Sequence, residues 1–327
     1  MIWTPESTRY CLLSFAAWEK EESDHYVKGE IPLSGLFNWS LALKGERAFP
    51  RTREAVSKYN LIHVNITANN LNIVPQLNDI VDRQQTKLMY NVDYAIEMWY
   101  PSFKFPAHFL RELDKADYIF AVEEEMAYIL SRLLKRKIAC IPHPCATHIL
   151  KPMMKTGHDA RRAEIGVSVH AYEKNYLLPM LAFRMAGLTN TKWQSTMIGH
   201  VDNPTEMAHE YTNVLTHINF PDLMKHVAEM YAMLESYTLH SYGRLTIECA
   251  ALAIPVVGAD CVSSQRVLYP DLTTGVNQIS KQAELLKKLV EDQQFYTECA
   301  QKAFDLVDRY SFESCSDLMF QFLNTEQ

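Results

Sequence analysis

The chain has 327 residues, about twice the usual span of a single domain, so two domains with separate cores are expected. Hydrophobic residues make up 48% and charged residues 22%, the balance of a folded globular protein and not of a disordered or fibrous one. A net charge of −7 argues against a nonspecific nucleic-acid binder or a basic membrane-surface protein; the local patch of Arg132, Lys135, Arg136 and Lys137 reads as a solvated helix end. The cysteines number seven and include no CxxC pair, which fits a reduced cytoplasmic protein. The apolar run at 10–18 is too short for a membrane span and lacks the basic start and cleavage site of a signal peptide.

In chain order, the first half alternates strand and helix patterns. Strands are predicted at 10–17, 61–66, 87–91, 118–122 and 137–141, with helices at 50–58, 71–83, 106–115 and 123–134 between them. This is the pattern of a parallel sheet wrapped by helices. The segment 142–152, which holds His143, Pro144, Cys145 and His148, breaks the alternation and reads as a linker.

The second half begins afresh, with strands at 165–169 and 193–198 and helices at 175–185, 205–211 and 221–234. The residues from Leu239 to Asp260 then join an extended segment, a glycine turn, a helix at 244–253 ended by Pro255, and a buried strand starting Val256-Val257-Gly258. Such a turn aims free N–H groups and the positive end of the helix dipole at an anion, phosphate above all. Glu248 lies just over one turn inside that helix, where a carboxylate can accept two hydrogen bonds from a vicinal diol such as ribose. Helices at 281–291 and 293–307 and a final helix after Tyr310-Ser311-Phe312 close the chain.

The stretch His240-Ser241-Tyr242-Gly243, four residues, Glu248, then Cys249 to Val257 resembles the donor-binding signature of retaining glycosyltransferases of the GT-B fold, the family 4 group. That signature is written E-G-F-G-x-x-x-x-E followed by A-x-A-x-G-x-P-V-V. Gly243, Glu248, Ala251, Pro255 and the two valines match; His240 stands in place of the first glutamate and Ala253 in place of the usual glycine. The resemblance implies an α/β GT-B architecture of two Rossmann-like domains facing a central cleft. It places an acceptor-binding domain at 1–144, a nucleotide-sugar-binding domain at 145–310 and a helix at 311–327 that crosses back to the first. It further implies that Glu248 holds the donor ribose and that His240 contacts the transferred sugar, with Ser241, Tyr242 and Gly243 forming the donor turn.

A diphosphate also needs positive charge, because its charge grows as the sugar bond breaks. Glu173-Lys174-Asn175 resembles the family's G-R-x-x-x-E-K-G segment, with Lys174 as the diphosphate lysine; the arginine has no match, and Val169 or His170 falls at its place. Arg244, directly after the signature glycine, is the candidate for the missing charge. In the first half Asp93, after the third strand, lies where the family often has a catalytic histidine, with Tyr94, Glu97 and Trp99 as candidate cleft-lining residues; His63 is read as strand packing. There is no DxD, HExxH or Cys/His cluster at ligand spacing, so no metal and no cofactor is expected beyond a UDP-, GDP- or ADP-sugar substrate. The acceptor stays open among a saccharide, a lipid-linked sugar and a modified nucleic acid. The resemblance thus implies a glycosyltransferase of the hexosyltransferase type, metal-independent and retaining. A nucleic-acid-modifying glucosyltransferase and a catalytically weak nucleotide-sugar-binding or scaffolding protein remain as alternatives.

Overall fold

A computed structural model describes residues 2–13, 37–48, 50–66, 73–93, 107–155, 160–168, 177–199, 210–215 and 218–325. They fall into two compact units: the first takes in the described residues up to Ala146 and those from Arg309 onward, the second those from Thr147 to Asp308. Among the described residues each unit is built on its own six-stranded sheet, and every strand pairing is parallel.

The first sheet has the order β2-β1-β3-β4-β5-β6, with β1 at Tyr10–Leu13, β2 at Glu46–Ala48, β3 at Leu61–Ile66, β4 at Lys87–Val92, β5 at Tyr118–Ala121 and β6 at Ala139–Cys140. All six residues of β3 and five of the six of β4 are buried, because helices cover both faces of a parallel sheet and no residue parity is left for solvent. The Glu124–Leu134 helix starts where the Glu123 carboxylate accepts from the N–H groups of Glu125 and Met126, both at 2.9 Å. It ends at Lys135, which adopts the left-handed conformation at φ 54°. The basic patch expected at a helix end thus sits at the negative end of this helix dipole, where cations are favoured.

The last helix, Phe312–Thr325, belongs to this first unit. Phe322 packs edge-on against Tyr118 and Phe120, with ring centroids 5.8 Å and 6.4 Å away. Asn324 exchanges hydrogen bonds with the backbone of Trp3, at 2.8 Å and 2.9 Å. Apolar burial and paired backbone groups therefore fix the far end of the chain to its beginning.

The second sheet has the order β12-β11-β10-β7-β8-β9, with β7 at Glu164–Ser168, β8 at Gln194–Ile198, β9 at Asn213–Leu215, β10 at Ala232–Glu235, β11 at Val256–Ala259 and β12 at Thr273–Thr274. Counted from β7, this is the doubly wound dinucleotide-binding order read from its far edge. The order reverses between β7 and β10, and the crevice beyond the carboxyl ends of those two strands is where open α/β sheets bind ligands. Arg161 stiffens the opposite side: its buried guanidinium donates to the carbonyls of Ala228, Met230, Lys155, Leu252 and Ala253, and so closes the carboxyl ends of two helices.

Two sequence expectations need correction. The helix expected at 221–234 stops at Val227, and Ala232–Glu235 is the buried central strand β10. A fully buried strand and a buried helix are both continuous apolar runs, so periodicity does not separate them. The linker expected at 142–152 contains a short helix at Thr147–Leu150 followed by a 3-10 turn at Lys151–Met153. The short elements Asn38–Ala42, β2, β9, Ser263–Leu268 and β12 carry too few residues to show a period. Most of the helix expected at 205–211 lies outside the described residues, as does the end of the strand expected at 10–17.

Candidate functional site

The signature segment follows β10, directly above the reversal in strand order. Gly243 ends the turn at φ 78° and is the residue before the Arg244–Ala251 helix. Glycine is required here twice over: the left-handed backbone disfavours a side chain, and an added Cβ would meet Val262 Cγ1 at 2.2 Å and Ser264 Oγ at 2.4 Å. The turn is tied to the neighbouring segment, with Ser241 N–H donating to Cys261 O at 3.1 Å and Ser263 N–H donating to Ser241 O at 3.0 Å. Ser264 Oγ donates to Gly243 O at 2.8 Å, and Gly243 N–H donates to Ser241 Oγ at 3.3 Å. Tyr242 is buried, while His240 and Ser241 are partly exposed.

At the helix start Arg244 Nε lies 3.3 Å from Glu248 Oε1, one turn away. The arginine side chain is half exposed and its guanidinium stands 5.7 Å from the ring centroid of Phe220; the Glu248 carboxylate is 2% exposed. Beneath them the sequence reading missed a buried carboxylate, Glu235, at the carboxyl end of β10, which accepts a hydrogen bond from Thr246 in the first turn of the helix. Next to it Ser236 Oγ donates to Gln282 Oε1 at 3.2 Å, and Gln282 Nε2 donates to Thr274 Oγ1 at 3.3 Å. The Thr246 bond pins the helix start to the end of β10, and Gln282, on the Ile279–Glu291 helix, ties the ends of β10 and β12 together. The turn is therefore held before any ligand arrives. The only sequence signal for Glu235 is a charged residue inside an apolar run.

In the first unit a chain of hydrogen bonds crosses the sheet from β1 through β3 to β4 and back to β3. Tyr10 O–H donates to His63 Nδ1 at 2.5 Å, His63 Nε2 donates to Asn91 Oδ1 at 2.6 Å, and Asn91 Nδ2 donates to Asn65 Oδ1 at 2.6 Å. Burial is the main cause that pushes His63 down to about 3, against a favourable hydrogen bond to Asn91, and it drives Tyr10 well above its ordinary value. His63 is therefore a neutral core histidine, the packing role its strand position suggested. A second chain runs from Trp39 Nε1 to His143 Nδ1 at 2.9 Å, and from His143 Nε2 to Asp93 Oδ2 at 2.9 Å.

The sequence candidates thus divide into three groups. His240, Ser241, Tyr242, Gly243, Arg244 and Glu248 stand together on one turn and one helix of the second unit. Asp93 stands in the first unit, in contact with His143, which the sequence reading placed in the linker without a role. Lys174, His170, Tyr94, Glu97 and Trp99 lie outside the described residues.

No family model matches the sequence, and no curated protein matches it. Solved structures do match in three dimensions. Sucrose-phosphate synthase from Thermosynechococcus elongatus is similar at a TM-score of 0.68 and 13% identity, covering 97% of this chain and 98% of that one. HepE of Anabaena, in complex with UDP, gives 0.66 and 12%, covering 97% and 100%. TarM gives 0.65 and 14% over 81% of this chain, which spans about half of that protein's length, 54%. Among the described residues no helix is long and apolar enough to cross a membrane. With two parallel-sheet α/β units and these neighbours across nearly its whole length, the chain has the two-domain Rossmann-like GT-B fold of glycosyltransferases.

Proposed function

We propose that this chain is a glycosyltransferase that moves a sugar from a nucleotide diphosphate donor to an acceptor hydroxyl. The observation that carries the reading is the position of the Gly243 turn and its helix at the strand-order reversal of the second sheet, with the Glu248 carboxylate one turn inside. Two structural neighbours add support: HepE of Anabaena is in complex with UDP, and a trehalose-6-phosphate protein from E. coli is bound with UDP-2-fluoro glucose. In this reading Glu248 receives the ribose hydroxyls, His240 the sugar, and Lys174 with the helix N-terminus the diphosphate. Arg244 is half exposed and turns from Glu248 toward the phosphates when the donor enters. The anomeric bond to the diphosphate breaks, the acceptor oxygen bonds the anomeric carbon, and the acceptor proton leaves on the departing diphosphate. Asp93 orients the acceptor hydroxyl.

The finer points of the proposal are retention of configuration, kinship with family 4 and independence of a metal ion, and they rest on the signature resemblance. A donor-binding protein with weak turnover is the second reading, favoured by His240 where the signature has glutamate. Calorimetric titration with UDP, GDP and ADP, followed by assay of donor hydrolysis and transfer, separates the two. Glu248→Gln is expected to weaken nucleotide binding by at least tenfold, in line with about 1.5–3 kcal/mol for a hydrogen bond to a charged group. Lys174→Ala and Arg244→Ala are expected to weaken the diphosphate far more than the nucleoside. Unchanged nucleotide affinity in Glu248→Gln refutes the site.

A further inference from the structure

Trp39 and His143 meet with their polarity fixed by chemistry. An indole nitrogen only donates, so the 2.9 Å contact makes His143 Nδ1 an acceptor. The imidazole hydrogen then sits on Nε2, 2.9 Å from Asp93 Oδ2, and is donated to that carboxylate. Asn38, the residue beside Trp39, donates through Nδ2 to Pro144 O at 2.9 Å, so the Asn38–Ala42 helix grips His143 and Pro144 at two adjacent points. Trp39 and His143 are almost wholly buried, whereas the Asp93 side chain is 35% exposed. The chain of donors therefore starts in the core and ends on a carboxylate that solvent reaches. The neighbouring titratable ring, His63, lies 6.1 Å from the Trp39 ring and spends its own Nε2 hydrogen on Asn91, so it does not compete for Asp93.

We propose that His143 is the positioning residue for Asp93: locked by Trp39 in the tautomer that carries its hydrogen on Nε2, it holds Asp93 Oδ2 and leaves Oδ1 aimed to accept the hydrogen of a substrate hydroxyl. This deepens the proposed function and rests on it for what Asp93 does, but the tautomer itself is a property of the folded chain. A buried indole donor is an effective lock because the alternative tautomer would set two N–H groups against each other in the core. A neutral donor also steadies the carboxylate without neutralising it.

The test combines nitrogen-15 spectra of the imidazole rings with steady-state kinetics. In the wild type, the resonances that vanish in His143→Gln are expected to show the Nε2–H tautomer, and Trp39→Phe is expected to convert them to a mixture. With a donor and acceptor that turn over, His143→Leu is expected to lower kcat at least tenfold with the donor KM within twofold. His143→Gln, whose amide nitrogen takes the place of Nε2, is expected to recover most of that loss. Thermal midpoints of all three variants identify any that fail to fold, and Trp39→Phe keeps the ring in place if the leucine variant does not. An Nδ1–H signature in the wild type, or equal kcat in the leucine and glutamine variants, overturns this inference alone. A wild type that binds no nucleotide overturns the reading of the site instead, and leaves the tautomer result standing.

Discussion

A methyl group on Gly243 would lie 2.2 Å from Cγ1 of Val262, a residue fully buried on the far side of the same turn. The turn and the segment after β11 are thus in van der Waals contact through the absence of a side chain, and the φ of 78° adds a backbone reason for glycine. Gly243→Ala is expected to destabilise the protein by about 2–4 kcal/mol, from left-handed strain together with overpacking. Urea denaturation measures it. A loss under about 1 kcal/mol would mean that the turn relaxes and is not rigidly preset.

The opposite substitution is informative one helix later. Ala253 follows the Arg244–Ala251 helix at φ 53°, where the signature has glycine, and its N–H donates to Ala250 O at 3.0 Å. Ala253→Gly relieves the left-handed strain and is expected to stabilise the protein by about 0.5–1 kcal/mol, net of the greater freedom glycine gives the unfolded chain. A raised thermal midpoint is the expected result; a lowered one would show that the Ala253 methyl contributes more by packing than it costs in strain.

His63 makes stability depend on pH in a definite direction. Its folded-state value is lowered to about 3 from an ordinary 6.5, so between those limits the unfolded chain binds more protons than the folded one. Stability is fully present above about pH 6.5 and falls as the pH drops, by up to about 1.4 kcal/mol per pH unit from this group. His63→Gln keeps partners for Tyr10 and Asn91 but cannot be protonated. Urea midpoints at pH 7 and pH 5 are expected to differ less in the variant than in the wild type, and parallel pH slopes would exclude His63 as the source.

His240 separates this chain from the signature it resembles. It precedes Ser241 at the turn and is partly exposed, whereas Glu248 sits buried on the helix beyond. His240→Glu is expected to change the ranking of donor sugars by roughly 1–3 kcal/mol while affinity for the bare nucleotide stays nearly constant. A panel of UDP-sugars run on both proteins decides it. The same ranking in both would place His240 in the turn alone, without donor contact.

How much of this was legible in the sequence depended on whether the information was local. The signature segment could be read because its turn, helix and following strand lie in one contiguous stretch, and the same holds for the alternation of strands and helices that announces a parallel sheet; the contacts with Val262 and Ser264 that exclude a side chain at Gly243 could not. The helix expected over 221–234 failed at β10 because a buried strand and a buried helix present the same apolar run, and only the pairing with β7 and β11 distinguishes them. His143 could be named from the sequence but not assigned, since Trp39 and Asp93 lie 104 and 50 residues away from it along the chain. Which nitrogen of that ring carries the hydrogen, and which carboxylate receives it, were decided by the folding of β4 and the Asn38–Ala42 helix onto the Pro142–Pro144 segment. Composition and spacing determine where the apolar runs and turns fall; contacts between distant elements determine whether a fully buried run becomes strand or helix and which polar atoms meet, because a hydrogen bond depends on tenths of an ångström that only packing sets.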